Sequence, residues 1–152
     1  MLSIVVMGGL GNQLFQIFTA IAYSLRHQIQ VVLPTSKADI NKRSHYWNTL
    51  LKDIRPLLTN NPLRSFVRLS EKTHEHVEIP LITEDFILFG YFQSYKYFEE
   101  EFDAICKIIH LEEQKNLVRE KVDYDTSECI SLHFRIGDYK NLQHAHPLMP
   151  IE

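Results

Sequence analysis

The sequence has little of several features that would place it in a particular class of protein. Its two cysteines, Cys106 and Cys129, are too few and too far apart for a disulfide framework or a CxxC metal site. We therefore expect both to be small buried residues in a protein of a reducing compartment. Apolar runs approaching the ~20 residues of a membrane-spanning helix are also lacking. These features predict a cytoplasmic protein without a transmembrane segment, with peripheral attachment to a membrane as the alternative.

An excess of positive charge is also absent. The net charge is −3 at pH 7 and the isoelectric point is about 6.2, so the broad attraction for phosphate backbones that nucleic-acid-binding proteins use is not available. We expect no nucleic-acid partner, and any phosphate recognition must be local. With 45% apolar and 23% charged residues, the 152-residue chain has the composition of an ordinary folded protein with a core of its own.

Glycine is scarce, but its distribution is informative. Three of the five glycines, Gly8, Gly9 and Gly11, directly follow the apolar run of residues 2–6. After them the apolar residues take helical spacing, which predicts a helix that ends near Arg26 or His27. The predicted buried face of this helix consists of Leu14, Phe15, Ile17, Phe18, Ile21, Ala22 and Leu25. A second strand at residues 30–33 would complete a βαβ unit with a right-handed parallel crossover.

The remaining sequence predicts further strands and helices. Residues 35–80 mix polar residues with prolines and indicate short helices and loops. A strand is predicted at residues 86–89, a helix at 94–109, a second helix at 112–121 and a last strand at 129–134. The expected fold class is α/β, with a Rossmann-like parallel sheet and flanking helices.

The glycine cluster between the first strand and the first helix is a candidate anion site. Glycines let the backbone approach a ligand, and a helix N-terminus offers N–H groups and partial positive charge. The third glycine of the dinucleotide fingerprint GxGxxG is missing, and no Gly-Lys-Ser/Thr of a P-loop follows. The alternative is a tight turn in which Asn12 only caps the helix, although this leaves the neighbouring amide of Gln13 unexplained.

A second candidate site is the segment HFRIGD at residues 133–138. Side chains alternate along a strand, so His133 and Arg135 would both face the ligand cleft at the carboxyl edge of the sheet. The guanidinium of Arg135 can bind phosphate oxygens with two hydrogen bonds. Asp138 could orient that guanidinium or serve an acceptor hydroxyl. The alternative is a structural Arg135–Asp138 ion pair, with His133 as a core histidine.

Two further patterns could suggest a metal, but neither is convincing. The sequence DYD at residues 123–125 resembles the metal-binding DxD of some glycosyltransferases, yet it precedes a predicted strand and does not follow one. The pairs His74/His76 and His144/His146 lack the third and fourth ligands of a zinc site. We interpret these histidines as surface or loop residues and expect no metal.

Three segments in order resemble one known family. They are GGLGNQLFQ at residues 8–16, GYFQSYKYF at 90–98 and HFRIGDY at 133–139, and together they resemble the α-1,2-fucosyltransferases of glycosyltransferase family 11. The resemblance implies one half of a GT-B arrangement of two Rossmann-like domains. It also implies inverting transfer of L-fucose from GDP-fucose to the 2-hydroxyl of a galactose-terminated glycan, without a metal or other cofactor.

The same resemblance implies which residues form the site. The catalytic residues would be Arg135, at the donor diphosphate, and Asp138, the only nearby carboxylate candidate for a general base. The substrate-binding residues would be His133, Gly9, Leu10, Gly11, Asn12, Gln13 and Gln93, the last on the acceptor side. Ile136 stands where the family commonly has a second arginine, so any contact which that arginine makes is lost or replaced in this chain.

The resemblance also implies a domain division. Residues 1–125 would form the N-terminal Rossmann-like domain, and residues 126–152 would begin the donor-binding domain. Because family members continue well beyond this point, we expect a truncated portion that needs a complementary C-terminal half. A non-catalytic nucleotide-sugar or glycan-binding domain and an inactive remnant are the alternatives.

Overall fold

The computed structural model describes residues 1–35, 45–60, 65–122, 127 and 129–132. The strands are β1 (Leu2–Ile4), β2 (Leu33–Pro34), β3 (Leu58–Thr59), β4 (Val67–Ser70) and β5 (Phe86–Phe89). The helices are α1 (Leu10–His27), α2 (Phe102–Ile108) and α3 (Leu111–Arg119), with short 3₁₀ helices at Lys52–Leu57 and Tyr95–Tyr97. The chain divides into two compact units, Met1–Val118 and Arg119–Glu152, and the five strands belong to the first. The α/β fold class with a small parallel sheet and flanking helices is confirmed.

All described strands are parallel. One ladder has the order β1–β5–β4, and a second joins β2 to β3. The chain entering β2 runs beside β1, because Val31 forms a parallel bridge with Leu2 and Val32 N–H donates to the Leu2 carbonyl at 2.9 Å. The strand order is therefore β3–β2–β1–β5–β4. Since all strands point the same way, their carboxyl ends lie along one edge of the sheet.

The core lies between this sheet and α1. Strand β1 is buried throughout, and Phe86 and Leu88 of β5 are fully buried. Helix α1 is buried over a continuous stretch from Gln16 to Tyr23, because it contacts the sheet on one side and aromatic residues of the following segments on the other. The predicted buried face is largely confirmed. Leu25 is the exception, at 42% exposed, since it lies in the last turn of the helix.

The strands after α1 differ in detail from the prediction. The second strand occupies Leu33–Pro34 and not residues 30–33, of which Val31 forms only the bridge to β1. Strands β3 and β4 lie in the region for which we expected helices and loops. Strand β4 was not predictable from alternation, because most of its side chains are exposed at the edge of the sheet. The strand at residues 86–89 is confirmed as β5.

The predicted long helix at residues 94–109 is wrong as a single element. It is a 3₁₀ turn at Tyr95–Tyr97 followed by α2. The prediction rested on the helical spacing of buried residues, and Phe98, Ile105 and Ile109 are indeed buried. Phe98, however, lies between the two helical segments and belongs to neither. The helix predicted at residues 112–121 is confirmed as α3, with slightly different ends. Within the part of the chain that the structure describes, no helix is long and apolar enough to cross a membrane.

Two expectations near the C-terminal end are corrected. The described residues 129–132 of the predicted last strand form no strand, and the Ile130 side chain is 90% exposed. Cys129 is exposed and Cys106 is partly exposed, so neither is the buried residue that we expected. Desolvation by burial raises the pKa of the Cys106 thiol, and Asp103 adds to the rise. A raised thiol pKa disfavours the reactive thiolate at neutral pH.

Candidate functional site

The glycine turn lies where β1 leaves the carboxyl edge of the sheet and α1 begins. Gly8 has φ +82°, the left-handed region that side chains other than glycine rarely adopt. A Cβ on Gly8 would also lie 2.6 Å from Nδ2 of Asn12. Gly9 occupies the N-cap position of α1 in extended conformation. The turn therefore requires glycine at position 8 and brings the backbone close to the first turn of the helix.

Replacing Gly8 by alanine is expected to lower the free energy of unfolding by about 1–2 kcal/mol, the usual cost of left-handed backbone in other residues. The matched control is Gly11→Ala, because a Cβ at Gly11 would meet no described atom within 4 Å. Alanine in an early helical position should leave stability unchanged or raise it by up to ~1 kcal/mol. Urea unfolding of the two variants checks this, and equal losses would contradict the assigned backbone geometry.

Two buried glutamines hold the turn from inside. Gln13 and Gln16 of α1 are both fully buried. Gln13 Nε2 donates to the Gly8 carbonyl at 2.9 Å, and Met7 N–H donates to Gln16 Oε1 at 2.9 Å. These hydrogen bonds satisfy backbone groups that a buried turn would otherwise leave without partners. Gln13 was expected to bind substrate directly. Because its side chain points into the core, it supports the turn instead.

Asn12 does not cap α1 but joins the first turn of this helix to the loop after β5. The N-cap is Gly9, and Asn12 lies three residues further along. Its Oδ1 accepts a hydrogen bond from Gln93 Nε2 at 2.6 Å. Gln93 lies in the loop after β5, and β5 is the neighbour of β1 in the sheet. Two side chains predicted from separate segments of the sequence therefore meet at the carboxyl edge.

The surface beside this pair is suited to an anion. Gly9 and Leu10 are partly exposed and Gly11 is exposed, so a ligand can approach their backbone. The first turn of α1, all of whose residues are described, contains no acidic side chain. The helix N-terminus thus presents partial positive charge, and no acidic side chain of its own first turn opposes it. This positive end of α1 belongs to a chain whose net charge is −3.

Comparison with protein-family models, curated proteins and solved structures finds no match to this chain. A function for this chain therefore has to be inferred from its own sequence and structure.

The other predicted site residues lie partly outside the described structure. His133, Arg135 and Asp138 are outside the described residues, as are residues 123–125 and the pair His144/His146. His74 and His76 are exposed, as predicted, and the His76 ring packs against Tyr97 with ring centroids 4.6 Å apart. Within the described ranges, no three His, Cys, Asp or Glu side chains are grouped so that they could hold a metal ion.

Two residues that shape this edge were missed from the sequence. Gln16 could have been found, because its spacing from Gln13 places both amides on one face of an otherwise apolar helix. Glu71 follows β4 and contacts the loop after β5 through its carboxylate. The sequence did not indicate this role for Glu71, because β4 was not predicted and Glu71 is one of several charged residues in a polar segment.

Proposed function

We propose that the chain is the N-terminal part of an α-1,2-fucosyltransferase with a GT-B arrangement, acting in the cytoplasm. It would transfer L-fucose from GDP-fucose to the 2-hydroxyl of a galactose-terminated glycan. The observation that carries this proposal is the Gln93–Asn12 hydrogen bond, which joins residues 81 positions apart. It brings together, at the edge where parallel α/β sheets bind ligands, two of the three segments on which the family resemblance rests.

The described residues would receive the anionic part of the donor. The exposed backbone at Gly9, Leu10 and Gly11 and the N-terminus of α1 would stabilise the GDP diphosphate. Asn12, whose Oδ1 accepts from Gln93 and whose Nδ2 lies beside Gly8, would form the rim of this site. Gln13 would act only indirectly, through the Gly8 carbonyl.

The chemistry itself would depend on the third segment. The bond between the fucose anomeric carbon and the phosphate oxygen breaks, and the acceptor oxygen bonds to the opposite face of that carbon. Arg135 would stabilise the negative charge that accumulates on GDP, and Asp138 would take the proton of the acceptor hydroxyl. A permanently charged guanidinium can supply the charge that a divalent cation supplies in DxD enzymes.

A donor screen tests this proposal. The complete enzyme, in which this chain is joined to a C-terminal half, is incubated with radiolabelled GDP-fucose, GDP-mannose or UDP-galactose and with lactose, and the linkage in the product is determined by NMR. We expect transfer from GDP-fucose alone and a new linkage at the galactose 2-hydroxyl. Transfer from another donor would refute the proposed substrate. Binding of GDP-fucose without transfer would favour a non-catalytic nucleotide-sugar-binding domain, and loss of all binding would favour an inactive remnant.

Asn12→Ala should raise the KM for GDP-fucose about fivefold, because the loss of one polar contact at this turn costs on the order of 1 kcal/mol. The matched control is Gln30→Ala, an exposed amide between α1 and β2, far along the chain from the turn. Steady-state kinetics at varied GDP-fucose concentration measure both. An unchanged KM in Asn12→Ala would contradict the placement of the donor at this turn.

A further inference from the structure

The loop that carries Gln93 is fastened by a side chain from the neighbouring strand. Glu71 directly follows β4, and its carboxylate accepts hydrogen bonds from the backbone N–H of Tyr91 at 2.7 Å and of Phe92 at 3.1 Å. Its own N–H donates to the Phe89 carbonyl at 2.8 Å, which continues the ladder between β4 and β5. A carboxylate that accepts two backbone N–H groups is a strong local constraint.

The backbone of this loop has a shape that needs such a constraint. Phe92 has φ +50°, a left-handed conformation that is unfavourable for a bulky residue. Its ring is buried and contacts Tyr97, with ring centroids 5.4 Å apart. Packing of the ring and the bonds to Glu71 together hold Phe92 in this conformation. Strained backbone of this kind is found where the surrounding structure over-determines it, often beside functional sites.

Gly90 makes room for the same contact. A Cβ built on Gly90 would lie 2.4 Å from Cβ of Glu71 and 2.6 Å from its Oε2. Cβ of Glu71 is fixed by its own backbone, so the clash could not be relieved by a rotamer change. A side chain at position 90 would therefore clash with Glu71, and glycine is needed there for the carboxylate to approach the loop.

We propose that Glu71 is a positioning residue of the donor site, a role that rests on the function proposed above. It fixes the backbone at Tyr91 and Phe92, and the next residue, Gln93, is thereby placed so that its amide reaches Asn12. Glu71, Gln93 and Asn12 come from the carboxyl ends of three adjacent parallel strands, β4, β5 and β1. Within the described ranges, the hydrogen bonds of the Glu71 carboxylate go to this loop, so its effect on the donor would pass through Gln93.

A double-mutant cycle separates positioning from general stabilisation. The dissociation constant for GDP-fucose is measured by calorimetry for the wild type, Glu71→Ala, Gln93→Ala and the double variant. We expect Glu71→Ala and Gln93→Ala each to weaken binding about tenfold, and the double variant to bind no more weakly than Gln93→Ala. Glu71→Gln, which keeps one acceptor oxygen, should fall between the wild type and Glu71→Ala. Additive losses, or unchanged binding in Glu71→Ala, would overturn the proposal.

The control and a second measurement keep the test decisive. Glu75→Gln changes an exposed carboxylate in the same segment and should leave binding unchanged. In ¹H–¹⁵N NMR spectra without ligand, the Gln93 side-chain amide should shift towards its random-coil position in Glu71→Ala. In the wild-type protein, hydrogen exchange at Tyr91 and Phe92 N–H should be slowed. Unprotected amides there would overturn the role of Glu71 even if no variant folds, whereas protected amides without GDP-fucose binding would refute only the proposed function.

Discussion

Replacing Phe86 by alanine is expected to lower the free energy of unfolding by about 3–5 kcal/mol, the usual loss when a buried aromatic ring is removed from a core. Phe86 lies in β5, which has β1 on one side and β4 on the other, and its side chain is fully buried. Its ring contacts the edge of the Tyr23 ring on α1, with centroids 5.4 Å apart. The change would therefore leave a cavity between the helix and the middle of the sheet.

The control for this prediction is the residue paired with Phe86 on the outer strand. Val67 of β4 is in register with Phe86 but is 52% exposed, so Val67→Ala should cost less than ~1 kcal/mol. Urea unfolding followed by far-UV circular dichroism gives both values. Similar losses in the two variants would mean that β5 is not the inner strand of the ladder and would contradict the strand order.

Residues 2–27 were predictable because their local sequence preferences agree with their packing in the fold. An apolar run, a glycine cluster and a long helical period identify β1, the turn and α1 without knowledge of the rest. Strand β4 shows the opposite situation. Its residues form a strand because β5 lies beside them, and at the edge of the sheet their side chains remain largely exposed, so no alternation appears in the sequence. The formation of β4 therefore depends on its pairing with a distant segment and not on the local preference of its residues.

The candidate site shows the same division. Asn12 and Gln93 could be selected as polar residues beside glycines, but their contact depends on β5 lying next to β1, and strand order is not encoded in local pattern. Gln13 is instructive, because its position on the apolar face of α1 already indicated a buried amide. Gln13 was chosen as a substrate-binding residue because it is polar and close to the glycines. Its position in the helical period would instead have predicted that it supports the turn.

Replacing Arg135 by alanine is expected to lower kcat for fucosyl transfer by about 10²–10³-fold, the usual effect of removing one preorganised group that stabilises charge in the transition state. The charge on the departing GDP is largest in that state, so kcat should fall more than KM rises. Arg135→Lys should give an intermediate rate, because lysine keeps the positive charge but loses the planar pair of donors that binds two phosphate oxygens.

The control for Arg135 is Arg55→Ala, which removes an exposed guanidinium from the 3₁₀ helix at Lys52–Leu57 and changes the net charge equally. Kinetics with GDP-fucose and lactose, together with urea unfolding of each variant, separate a catalytic loss from a folding defect. If Arg135→Ala and Arg55→Ala show the same modest decrease, the effect is one of net charge alone and Arg135 has no part in the reaction. If only Arg135→Ala loses transfer while its unfolding curve matches the wild type, Arg135 takes part in the reaction.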